Sequence, residues 1–107
     1  MRFKTTPSFA SDHSSLTTAE KRLFRASVKK FNRACDRFVE SGMSSGWPAS
    51  LRVKKVEGAP GVWEMTWSFS GPDGRATWQW DTVEDENGKH PAVLWRRVGS
   101  HSIYKDP

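Results

Sequence analysis

Between Gly61 and Trp80 large apolar side chains alternate with polar ones. Trp63, Met65, Trp67 and Phe69 are separated by Glu64, Thr66 and Ser68, and beyond Ser70-Gly71-Pro72-Asp73 the residues Ala76, Trp78 and Trp80 alternate with Arg75, Thr77 and Gln79. A period of two with a turn in the middle predicts a β-hairpin with one buried face. Pairing Phe69 with Gly74 sets Trp67 opposite Ala76, Met65 opposite Trp78 and Trp63 opposite Trp80. A slip of one residue would turn a whole face over, so this register is the expected one. It gathers Glu64, Thr66, Ser68, Arg75, Thr77 and Gln79 on the other face. A carboxylate and a guanidinium there are either a site or part of an ordinary solvated surface.

The rest of the chain supplies what this hairpin packs on. Arg2 to Thr6 is a short candidate edge strand. Pro7 opens a helical turn through Asp12 with Phe9 inward, and His13 falls in an exposed polar run. Thr17 and Glu20 form a capping box, which satisfies two orphan N–H groups at a helix start. Phe24, Val28, Phe31, Cys35 and Phe38 then recur at helical spacing, with Val39 beside them, and Gly42 is placed to close the helix in the left-handed conformation. Met43 to Ala49 reads as a loop and Ser50 to Val56 as a strand with Leu51 and Val53 inward, broken near Lys54-Lys55. Asp81 to Pro91 is acidic and turn-rich, and is expected to be a mobile loop. Ala92 to Val98 is mostly apolar and reads as a central strand, and Ser102 to Tyr104 as a short last one. The order predicts one α+β domain over residues 1–107, with N-terminal helices on one face of a twisted, mainly antiparallel sheet of four to five strands.

Composition narrows the chemistry. Six Trp and six Phe give a chain of 107 residues a workable core. The single Cys, Cys35, excludes an internal disulfide and lies on the apolar stripe, where it is a poor nucleophile. The scattered His residues give no zinc spacing and there is no Gly-rich phosphate loop, so neither metal nor cofactor is expected. Without a membrane-length apolar run or a signal-peptide core, a cytoplasmic protein with no membrane partner is expected. The formal charge of +5 favours an anionic partner. On the long helix Lys21, Arg22, Arg25, Lys29, Lys30, Arg33 and Arg37 stand against Glu20, Asp36 and Glu40, which is either a solvated face or one turned to phosphates or an acidic partner.

Four stretches carry a family likeness: Leu-Arg-Val-Lys-Lys at 51–55, Gly-Ala-Pro-Gly-Val-Trp-Glu-Met at 58–65, Gly-Arg-Ala at 74–76 and Leu-Trp-Arg-Arg-Val-Gly-Ser-His-Ser-Ile-Tyr at 94–104. In that order, on a small basic chain, they resemble the RelE/ParE superfamily of toxins from bacterial type II toxin–antitoxin systems. The likeness is to the RelE-like branch, whose C-terminal Arg-Arg-x-Gly-x-His stretch ends in an aromatic. The resemblance covers nearly the whole chain and implies a RelE/ParE-like fold. It also implies an mRNA interferase that acts at the ribosomal A site without metal, the ribose 2′-OH attacking the adjacent phosphate to leave a 2′,3′-cyclic phosphate and a 5′-OH. The implied partners are mRNA on the ribosome and a cognate antitoxin protein. ParE-type members instead inhibit DNA gyrase and lack the nuclease residues, and a non-catalytic RNA- or protein-binding module is a third reading.

Such a reaction needs a base, an acid and cations around the phosphorane. By the resemblance Glu64 is the base, Arg75 the phosphate clamp and His101 the general acid, while Tyr104 stacks on a base or orients the phosphate. Lys54 or Lys55 holds phosphate or substitutes for the base, and Lys54 is preferred because its parity is opposite to that of Leu51 and Val53. Arg52, Arg96 and Arg97 are further expected RNA contacts, and strand parity leaves open which of the last two faces out. The best-known RelE pattern is dominated by Lys and Arg and has no His. The Glu–Arg–His–Tyr content here is closer to an acid–base branch.

Overall fold

The computed structural model describes residues 1–68 and 73–107, with the His101 side chain left outside the described part. The chain runs β1 (Arg2–Thr5), α1 (Pro7–Ser14), α2 (Thr18–Glu40), a 3-10 turn (Ala49–Leu51), β2 (Lys54–Lys55), β3 (Trp63–Ser68), β4 (Gly74–Asp85), β5 (Gly88–Gly99) and a final 3-10 turn (His101–Lys105). The strands form one sheet in the order β1-β5-β4-β3-β2. The fold is therefore α+β, two helices on a five-stranded sheet. The sheet is mixed, because β1 pairs parallel with β5 while the other neighbours are antiparallel. A parallel pair needs a crossover connection, and here the chain between β1 and β5 includes both helices.

The helices start where the sequence says they should. Thr6 accepts the Phe9 N–H at 3.0 Å ahead of Pro7. Thr17 and Glu20 complete the capping box, with reciprocal bonds of 2.8 and 3.1 Å. Gly42, at φ +72°, follows the end of α2. The apolar stripe of α2 buries Phe24, Phe31, Ala34 and Cys35. Phe24 meets Trp67 and Trp95 edge-on at 6.0 and 5.5 Å, and Phe31 lies 5.0 Å from Trp78 and 5.1 Å from Trp95. Such offset pairs add specific geometry to the area they bury. Burial pushes the Cys35 thiol up to about 12, which makes it an inert core residue. His13 is half-buried rather than exposed, its ring 6.0 Å from that of Phe9. No described helix is long and apolar enough to cross a membrane.

The β3–β4 hairpin exists, but its register differs from the expected one by two residues: Trp63 pairs with Trp78 and Met65 with Ala76. The expected Phe69–Gly74 pair lies outside the described residues, and Gly74 pairs with Ser68. A bulge at Trp67 accounts for the irregularity. The Trp67 indole lies against Gly74, where a Cβ would come within 2.5 Å of the ring, and its Nε1 donates to the Arg75 carbonyl at 2.9 Å. Because the shift is even, the two faces keep the residues expected of them.

Three other expectations are corrected. Asp81 to Pro91 is not a loop: β4 and β5 pair without a break from Trp78–Trp95 to Asp85–Gly88. The turn there is held by Asn87 N–H donating to Asp85 Oδ1 at 2.8 Å, with Gly88 at φ +107°. Ser50 to Val56 pairs only at Lys54–Lys55, because Ala49–Leu51 coil into a 3-10 turn that Arg52 ends at φ +46°. Ser102 to Tyr104 is no strand, since the last turn is 3-10 helical and Ile103 is buried against Gly99.

Candidate functional site

The polar residues of β3 and β4 lie on the sheet face turned away from α2, since Met65, Trp67, Ala76 and Trp78 fill the other face. A solvated face would leave them open to water. Instead Glu64 is only 5% and Arg75 only 9% exposed, and Thr66 and Thr77 are buried with them. The C-terminal segment covers this face. The main-chain oxygen of Pro107 accepts from Thr77 Oγ1 and from Arg96 Nε, both at 2.9 Å. Arg96 Nη1 also donates to Gln79 Oε1 at 2.6 Å.

Tyr104 comes down from this segment between the two charges. It is hydrogen-bonded to Glu64 and to Arg75. Burial pushes its phenol up to about 12, and the bond to Glu64 and that residue's negative charge add to the rise while Arg75 opposes it. The phenol therefore stays protonated at neutral pH and donates to the carboxylate. From the other side Lys54, the cross-strand neighbour of Glu64, brings its Nζ to 3.5 Å from Glu64 Oε1. The Lys54 side chain is 71% exposed, so this is a carboxylate set in protein with its cation held at the water boundary. Arg75 is anchored at its far end, where Nη2 lies 3.1 Å from Asp73 Oδ2.

These side chains line one open pocket of about 440 Å³, formed by Lys54, Lys55, Val56, Glu57, Glu64, Arg75 and Tyr104. It joins three of the four expected catalytic residues, Glu64, Arg75 and Tyr104, with both lysines. Lys54 pairs with Glu64, whereas Lys55 Nζ lies 5.6 Å from the Trp63 ring centroid, a cation–π contact. His101 opens the last 3-10 turn three residues before Tyr104, and its side chain is outside the described residues. Arg52, Arg96 and Arg97 do not line the pocket. Arg97 grips Asp12 with Nε at 2.6 Å and Nη2 at 3.1 Å, and its Nη1 donates to the Asp106 carbonyl. The hydrogen bond to Asp12 shifts the Arg97 guanidinium further toward its charged form. Both β5 arginines are thus bonded within the protein, Arg97 to α1 and Arg96 to the C-terminal segment.

Sequence reasoning missed Glu57 and Asp73 as parts of this arrangement. Asp73 stands two residues before Arg75, a spacing at which an acid can reach a strand guanidinium, and that signal was legible. Glu57 follows the lysine pair in a turn, and nothing in its local pattern marks it. Among the described residues no three His, Cys, Asp or Glu side chains are grouped to hold a metal ion. What the pocket offers is two carboxylates, three cations and a fixed phenol around one open volume. That set can bind an anionic group and take a proton beside it. Set against known protein families, curated proteins and solved structures, the chain finds no match in any of the three.

Proposed function

We propose that this protein is an endoribonuclease of the RelE/ParE toxin kind, cleaving mRNA in the pocket around Glu64. The observation that carries the reading is the carboxylate, 5% exposed, between Lys54 at 3.5 Å and the Tyr104–Arg75 pair, at the edge of an open pocket on a basic chain. Glu64 takes the proton of a ribose 2′-OH. The 2′-oxygen attacks the adjacent phosphorus, and the P–O5′ bond breaks. His101, assigned by the sequence resemblance, returns a proton to the leaving 5′-oxygen. The products are a 2′,3′-cyclic phosphate and a 5′-OH. Arg75 and Lys54 face the charge that grows on the phosphorane oxygens, where fixed cations contribute most. Tyr104 and Lys54 orient the carboxylate toward the 2′-OH. mRNA on the ribosome is then the substrate, and a cognate antitoxin the protein that covers the pocket at rest.

The test is induced expression of the wild type and of a Glu64→Ala/His101→Ala double variant, with growth and mRNA 5′ ends followed together. Growth arrest with new 5′-OH ends in the wild type, and neither in the variant, is the expected result. Loss of one general acid–base group lowers cleavage by roughly 10²–10⁴-fold. Arrest that persists in the variant without new ends would replace the nuclease by a protein-directed inhibitor such as a gyrase poison.

A further inference from the structure

The pocket leaves the strongest charge on the molecule unexplained. Arg22, Arg25, Lys29, Lys30, Arg33 and Arg37 recur at three- and four-residue spacing along α2, and all six are exposed. They lie on the side of the helix opposite the buried Phe24, Phe31 and Cys35. From Lys21 to Cys35 the helix holds no acidic residue. Asp36, which follows, lies 3.2 Å from the Met1 amine instead. Among the described residues none of the six forms an ion pair, and Lys30 reaches only the Ser50 hydroxyl, at 3.1 Å. Arg25, Lys29, Arg33 and Arg37 are successive i,i+4 neighbours, an arrangement that disfavours a helix by like-charge repulsion. A local rule broken this consistently, with no internal compensation, points to a partner that supplies the missing negative charge.

We propose that this stripe is a second docking surface, which seats the phosphate backbone of double-stranded RNA on the side of the sheet opposite the Glu64 pocket. The stripe runs about 22 Å from Arg22 to Arg37 at 1.5 Å per residue, long enough to track several phosphates of a duplex. Its middle is a shallow hollow floored by Ala26 and walled by Arg22, Arg25, Lys29, Lys30 and Arg33. Protein interfaces are built on aromatic and apolar anchors with charge thinned from their centre, and here the centre is charge. A membrane-surface helix turns its apolar face to lipid, whereas that of α2 is spent on the sheet. Single-stranded nucleic acid is held by aromatic stacking, and the stripe carries no aromatic side chain. A duplex backbone needs only a row of cations. The choice of RNA over DNA rests on the nuclease reading, and the surface itself does not.

The experiment is an anisotropy titration of a labelled RNA hairpin of mixed sequence against the full chain, over a salt series. A DNA hairpin of the same sequence and polyglutamate serve as competitors. The variants are Arg25→Gln/Lys29→Gln/Arg33→Gln, the single Lys29→Gln, and Glu64→Gln. Gln is a good helix former, so circular dichroism should show α2 intact in the first two. The expected result is at least tenfold weaker hairpin binding by the triple variant. The slope of log affinity against log salt should shrink by about three, and by about one in Lys29→Gln. Glu64→Gln should keep the wild-type slope, so loss of cleavage and loss of docking are read separately. An unchanged slope in the triple variant overturns the surface. Polyglutamate competing as well as the RNA hairpin overturns the nucleic-acid assignment in favour of an acidic protein, and tighter binding of the DNA hairpin overturns the choice of RNA.

Discussion

Tyr104 is the only tyrosine in the chain, so an alkaline titration followed by tyrosinate absorbance reads one site group directly. Burial is the largest cause of its rise to about 12, followed by the hydrogen bond and charge of Glu64, with Arg75 pulling the other way. Glu64→Gln removes the negative charge and keeps an acceptor oxygen in place. A hydrogen bond to a charged partner exceeds a neutral one by roughly 1–1.5 kcal/mol, which is about one pKa unit. The phenol of the variant should therefore titrate about one unit lower, yet still above the ordinary value of 10 because its burial remains. Arg75→Gln should move it upward, since a cation that favours the phenolate is lost. The linked effect on stability follows the same sign. The folded-state value is raised, so the contribution of this group is full below pH 10 and is lost as pH climbs toward about 12. In Glu64→Gln that loss spans a narrower window. A wild-type phenol titrating near 10, or a shift of the same sign in both variants, would refute the placement of Tyr104 between Glu64 and Arg75.

Four further outcomes are expected. Gly74→Ala drives a Cβ to 2.5 Å from the Trp67 ring, so it should destabilise by about 1–3 kcal/mol of overpacking, read as a drop in Tm. Thr17→Ala removes half of the capping box and should cost about 1 kcal/mol, measured by urea unfolding. Ile103→Ala empties a buried anchor of the C-terminal turn and should lower stability by about 2–5 kcal/mol, and the Tyr104 titration should fall toward 10 as that residue loses its cover. Arg75→Lys keeps the charge and loses the fork, so new 5′-OH ends in expressing cells should fall at least tenfold if the nuclease reading holds.

The two faces of the central hairpin were legible in the sequence because parity survives an even shift in register. The register itself was not, since it depends on Trp67 leaving the ladder to lie across Gly74, a contact that alternation cannot encode. The parity that favoured Lys54 over Lys55 had no strand to rest on, since Ala49–Leu51 coils and both lysines line the pocket. The burial of the polar face was hidden for a different reason. Its cover is a segment far along the chain, 30 residues on in the Thr77–Pro107 bond, and the Ser102–Tyr104 run looks extended when read alone. Acidic composition misled at Asp81–Pro91, where Asn87-Gly88 is a hairpin signal that charge outweighed in the reading. The arginines of β5 show the limit of charge counting, since one is bonded to Asp12 and the other to Gln79 and Pro107.

A buried carboxylate is stable only if its charge is met by donors, and the sheet alone gives Glu64 one cation at the water boundary. The phenol of Tyr104 supplies the second contact, and it arrives on a segment held by the Thr77 and Arg96 bonds to Pro107 and by the burial of Ile103. The same phenol ties Arg75 into the group, while Asp73 fixes the guanidinium from behind. The pocket is thus a joint product of three strands and the last turn, and neither part alone would leave Glu64 both buried and partnered. That dependence explains why a polar sheet face that reads as ordinary surface is a buried, partnered charge cluster. The strands bring the acid and the cations to one side, and the C-terminal turn keeps water from covering them, which strengthens every charge–charge interaction among them.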